Sequence, residues 1–120
     1  MTRYGLLLLV LVAACEPDQP PASQRVIGGD PRFGSAIIAD YGCSACHRIP
    51  GIAQPTGTVG PSLAGFGRRA YIAGQLPNRP MALTAWLRDP PAIDPGTAMP
   101  ALGLSETEAR HVAAYLYTLR

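Results

Sequence analysis

Three stretches of the chain repeat apolar residues at helical spacing. Phe33, Ile37, Ile38 and Tyr41 fall along one helix. Asp30-Pro31 opens it as an N-cap followed by proline at the first helical position, and Gly42 is a natural stop. Leu83, Trp86 and Leu87 stand at i, i+3 and i+4 and predict a one-sided helix ending before Pro90-Pro91. Ala109, Val112, Ala113 and Leu116 carry a third stripe toward the C-terminus. Ser105 to Glu108 fits a capping box ahead of it, and Arg120 suits its negative pole. A shorter helix is expected over 70–76, interrupted by Gly74 and stopped by Pro77. No strand pattern and no internal repeat emerges.

The polar and glycine-rich stretches between these helices are loops. Residues 48–69 contain Pro50-Gly51, Gly57, Gly60-Pro61, Gly65 and Gly67, which leave no room for a long regular element. So long a loop is unusual in a small domain, and wrapping a large rigid cofactor would account for it. Residues 94–100 (DPGTAMP) form a second turn-rich loop, with Met99 between Ala98 and Pro100. Gly34 inside the first helix costs about 1 kcal/mol against alanine, and a close helix–helix crossing would explain it.

Composition adds a constraint. One Trp, two Phe and five Tyr make a thin core for 120 residues, and a thin core in a small domain needs a staple. All ten basic residues are arginine and face eight acids, a formal charge of +2. This balance argues against a nucleic-acid binder.

The first fifteen residues have a secretory layout: Arg3, the apolar run Leu6 to Val12, then small residues. The run is too short to span a membrane as a helix. Its end, Val12-Ala13-Ala14-Cys15, resembles a bacterial lipobox, in which Cys15 becomes the lipidated first residue. The expected organisation is a signal peptide over 1–14, lipidated Cys15 with a flexible linker over 15–26, and a folded domain over 27–120. An unlipidated, soluble periplasmic form is the other reading. Glu16 to Arg25 (EPDQPPASQR) has a linker composition.

Two cysteines remain, in Cys43-Ser44-Ala45-Cys46-His47. This is the spacing of c-type haem attachment: two thiols on one turn for two thioether bonds, followed by a histidine for the iron. Zinc is a rival, but a structural site wants four ligands, and only the remote His111, a surface or rim histidine, could join these three. A redox dithiol is another, but it usually accompanies a βαβ pattern.

From here the chain resembles class I c-type cytochromes, the small mono-haem kind. The likeness rests on a helix leading into Cys43–His47, then Gly60-Pro61-Ser62-Leu63, Gly67-Arg68, Trp86-Leu87 with Pro90, Pro95 to Met99, and a last helix containing Tyr115-Leu116. It implies an all-α fold of about four short helices and long loops around one haem, with the first and last helices crossing at Gly34 and Tyr115. It implies one covalent haem c on Cys43 and Cys46, with His47 and Met99 as iron ligands. The Pro61 carbonyl would orient His47, Arg68 would meet a propionate, and Trp86 and Leu87 would pack on the haem. Tyr71 and Asn78 are further candidates for the propionates.

With both axial positions filled, no site is open to substrate, and methionine ligation raises the reduction potential. The expected function is electron transfer by a membrane-tethered monomer, not catalysis. Donors and acceptors would be a quinol-oxidising complex or dehydrogenase and a terminal oxidase or reductase. A haem subunit fixed in a dehydrogenase or oxidase complex is the alternative, and a haem-based sensor a third reading. The lysine ring with which mitochondrial members dock their partners is absent.

Overall fold

The computed structural model describes residues 19–53 and 57–120. The expected signal peptide and Cys15 therefore lie outside the described residues. Among the described residues are four α-helices: α1 Pro31–Asp40, α2 Pro80–Arg88, α3 Pro90–Ile93 and α4 Glu106–Leu116. None is long and apolar enough to cross a membrane. The fold is all-α, as expected, with one very small two-stranded sheet that was not.

The helix starts follow from local chemistry. The Asp30 carboxylate accepts from the Arg32 N–H at 2.9 Å and pairs with its guanidinium at 2.8 Å. Ser105 and Glu108 close a reciprocal capping box, with Ser105 N–H donating to the Glu108 carboxylate at 2.8 Å. Gly42, at φ +70°, supplies the left-handed turn that ends α1 and leads into a 3₁₀ turn, Cys43–Ala45.

The core lies where α4 crosses α1 and packs on α2. Ile38, Leu83, Trp86, Leu87, Val112, Ala113, Leu116 and Tyr117 are buried there. Gly34 is the contact point of the α1–α4 crossing. A Cβ on it would overlap the His111 carbonyl oxygen and lie 2.9 Å from the Cβ of Tyr115. The glycine that weakens α1 as an isolated helix is what lets two backbones meet.

Several expectations change. Residues 70–76 are not helical: β1 Tyr71–Ile72 pairs antiparallel with β2 Leu76–Pro77. Ala73 and Gly74, at φ +50° and +68°, make the turn, and Gln75 N–H donates to Ile72 O at 3.0 Å. Two successive positive φ angles reverse the chain as a hairpin turn does, and no helix survives them. Phe33 is 59% exposed and lies beside the His111 ring, not in the core. His111 is more than a rim residue: its Nδ1 accepts from the Asp30 N–H at 2.9 Å, tying α4 to the start of α1.

The linker also ends earlier than its composition suggests. Gln24 is buried, donates to Gly67 O at 2.8 Å, and accepts from Arg120 at 2.9 Å. Arg120 thus closes a polar knot between the chain's last residue, this segment and the 66–68 turn, instead of capping α4, which ends at Leu116.

Candidate functional site

The Cys43–His47 turn is built by local backbone bonds. Cys46 N–H and His47 N–H both donate to Cys43 O, at 3.2 and 3.0 Å. The following loop folds back onto it: Gly57 N–H donates to Ser44 O, Gly60 N–H to Cys46 O and Leu63 N–H to Arg48 O, each at 2.8 Å. Two glycines permit this approach. A Cβ on Gly57 would lie 2.6 Å from Cys46 Cα, and one on Gly60 would press on the imidazole of His47, 2.6 Å from Nδ1 and 2.9 Å from Nε2. The sequence marks both as loop glycines, and Gly60 as part of the Gly60-Pro61 motif, but not these contacts, because the neighbours stand many positions away.

The His47 ring is fixed by one contact, Nδ1 to Pro61 O at 2.7 Å. A proline carbonyl can only accept, so Nδ1 carries the proton and Nε2 keeps its lone pair. The contact orients the ring and leaves Nε2 available to a ligand. Cys43 is half-buried against the core, and burial raises its thiol pKa, with Cys46 adding a smaller push and a backbone bond opposing.

Trp86 and Leu87 are buried on the inward face of α2. Met99 is half-buried and packs on the same apolar cluster as Cys43; its N–H donates to Thr97 Oγ1 at 3.2 Å. Pro61 is joined to His47 directly, whereas Met99, Trp86 and Leu87 share only the core with that turn. Arg68 stands exposed at the end of the Phe66–Arg68 turn. Its neighbour Arg69 donates to Ser62 O and Ala64 O and lies 5.7 Å over the Phe66 ring.

Asn78 is buried and spends both amide protons on Phe66 O and Arg69 O, each at 3.0 Å. It has no proton left for a propionate, so it acts as a pin for the 66–69 loop. Its Oδ1 and the Tyr117 hydroxyl are buried without a hydrogen-bond partner. Burial pushes the Tyr117 phenol far above its ordinary pKa. Tyr117, four residues after Ala113, carries the buried stripe of α4 past Leu116. Among the described residues no three His, Cys, Asp or Glu side chains converge as a metal site.

The family model for cytochrome c matches residues 33–120. The chain belongs to the cytochrome c family. As a cytochrome c domain it implies a haem and serves electron transfer. Its residues fit that group: a histidine with Nε2 available, two cysteines on the preceding turn, glycines where the loop closes on the ring, and an apolar wall.

The cytochrome c domain is also similar to larger proteins. Cytochrome c oxidase subunit 2 of Alkalihalophilus pseudofirmus is 38% identical over 89 residues, covering 72% of this chain and 25% of that protein. The subunit 2 of Bacillus subtilis is 34% identical over 82 residues, 63% of this chain and 23% of that protein. That of Bacillus sp. PS3 is 33% identical over 91 residues, covering 72% and 25%. The chain thus spans about a quarter of the length of the curated relatives it matches.

Proposed function

We infer that the domain carries one electron at a time on a single haem c, bound covalently through Cys43 and Cys46 and ligated by His47 and Met99. The observation that supports this reading is the 2.7 Å contact from His47 Nδ1 to the Pro61 carbonyl, which leaves Nε2 available as a ligand. The haem supplies the one-electron chemistry of its iron. Everything else falls to the chain. Pro61 O holds the imidazole in one tautomer and one orientation. Trp86 and Leu87 exclude water from the iron's surroundings and so favour the less charged form. Arg68 offers positive charge to a propionate. With Met99 and His47 both holding it, the group would have little to rearrange between oxidation states, which would suit outer-sphere transfer.

In this reading the domain is exported and tethered by acyl chains on Cys15. It exchanges electrons with partners at the membrane surface, such as a quinol-oxidising complex, a dehydrogenase or a terminal oxidase. A second reading, a haem domain held within an oxidase complex, draws on the likeness to cytochrome c oxidase subunit 2.

The test is an absorption spectrum of the purified holoprotein with and without carbon monoxide. The ferric form is expected to show the weak far-red band of iron–thioether ligation, and Met99→Ala to abolish it. Rapid carbon monoxide binding to the unsubstituted protein would sink the closed site and favour a sensor. A stoichiometric oxidase partner in membrane preparations would favour the fixed subunit. For the tether, intact mass of the mature N-terminus should show acyl mass on Cys15; a chain starting downstream without it would refute lipidation.

A further inference from the structure

Helix α2 has two faces. At about 100° per residue, Leu83, Trp86 and Leu87 point inward, and all three are buried. The opposite stripe, Met81, Thr84, Ala85 and Arg88, forms one wall of a groove of about 520 Å³. The segment from Arg25 to Ile27 and the first turns of α4 complete it.

Two properties of this groove stand out. Its rim carries two large apolar side chains almost wholly in water, Ile27 at 87% and Met81 at 88% exposure. Its charge is one-sided: Arg25, Arg88 and Arg110 face a single carboxylate, Glu106, which Arg110 already pairs with. The pairing of exposed apolar tips with arginines is that of an interfacial surface.

The chain's course indicates what the groove meets. Arg25 stands ten positions after Cys15. Extended chain spans at most about 3.3–3.6 Å per residue, so a membrane-held Cys15 keeps the groove within roughly 35 Å of the lipid. The groove is also where the leading segment joins the domain, so it is the region the tether delivers.

We propose that this groove docks on an anionic lipid surface. Ile27 and Met81 enter the headgroup boundary, and the arginines meet lipid phosphates. Delivery rests on the tethered reading above; the chemistry of the face does not. Because Trp86 and Leu87 lie on the opposite side of α2, docking turns the core side of that helix away from the bilayer. The groove therefore sets the orientation in which the domain meets its redox partners.

The test uses the full mature holoprotein with Cys15→Ala, produced behind a leader cleaved before residue 15, so that no acyl chain contributes. Sedimentation is compared with vesicles of phosphatidylcholine alone and with phosphatidylglycerol added. Binding to the anionic vesicles is expected to be severalfold stronger and to fall at high salt. Each of Arg25→Gln and Arg88→Gln should weaken it about fivefold. Ile27→Ser with Met81→Ser should weaken it further while leaving the haem spectrum unchanged. Equal binding to both vesicles, or variants that bind as the parent does, overturns the proposal. Vesicle-independent dimerisation that these substitutions abolish, without vesicle binding, assigns the groove to a second copy and overturns it equally. A mature N-terminus without acyl mass would remove the tether and leave the vesicle result standing.

Discussion

Gly34→Ala is expected to destabilise the holoprotein by about 3 kcal/mol, at the upper end of what overpacking costs. Alanine is the better helix former by about 1 kcal/mol, so α1 taken alone would gain. The crossing decides the sign. The added methyl would overlap the His111 carbonyl oxygen, lie 2.7 Å from the carbonyl carbon and lie 2.9 Å from Tyr115 Cβ. Two of these three atoms are α4 backbone and cannot move aside as a flexible side chain could. Relief requires the helices to separate, which would also stretch the Asp30 N–H to His111 Nδ1 bond and the Tyr115 hydroxyl's bond to Pro50 O. For a domain of this size 3 kcal/mol corresponds to a fall in Tm of roughly 12–24 °C. Thermal unfolding followed by far-ultraviolet circular dichroism measures it. A variant as stable as the parent would mean that α1 and α4 do not cross at this distance.

The same glycine shows what a single sequence can disclose. Its presence on an otherwise apolar stripe points to a crossing, because nothing else repays its helix cost. The ends of α1 and α4 are equally legible, since Asp30-Pro31 and Ser105–Glu108 act within one turn of themselves. The hairpin at 71–77 is not. Ala73 adopts a positive φ that alanine disfavours, and it does so because Ile72 is buried on one side and Asn78 is pinned to the 66–69 loop on the other. Tertiary contacts there override local preference. Gln24 and Arg120 fail as local readings for the same reason: their partners stand 43 or more positions away. The Cys43–His47 turn was legible because its chemistry is contiguous, whereas the residues that aim His47 come from a loop that passes over it.

Those aiming residues give the other large effect. Gly60→Ala is expected to displace the His47 imidazole and, under the ligation proposed above, to weaken its bond to iron. The new methyl would press on Cε1 and sit 2.6 Å from Nδ1 and 2.9 Å from Nε2. The ring cannot simply slide, because Pro61 O, one residue along the same loop, holds Nδ1 at 2.7 Å. Nor can the loop easily lift, since Gly60 N–H is bonded to Cys46 O on the Cys43–His47 turn. The substitution thus sets two fixed contacts against one added atom. At about 2–3 kcal/mol for overpacking, the ligated arrangement would lose roughly 30- to 150-fold against a displaced one. The substitution leaves Cys43 and Cys46 untouched, so under the proposed attachment the cofactor should stay in place while the absorption expected of the proposed six-coordinate, low-spin iron gives way to a high-spin spectrum that binds carbon monoxide. Pro61→Ala is the control: it keeps the accepting carbonyl and adds nothing against the ring, so most of the low-spin signal should survive. If both variants kept the parent spectrum, the ring would not be held by this loop. If both lost it equally, backbone stiffness at residue 61, and not the space at Gly60, would be what positions His47.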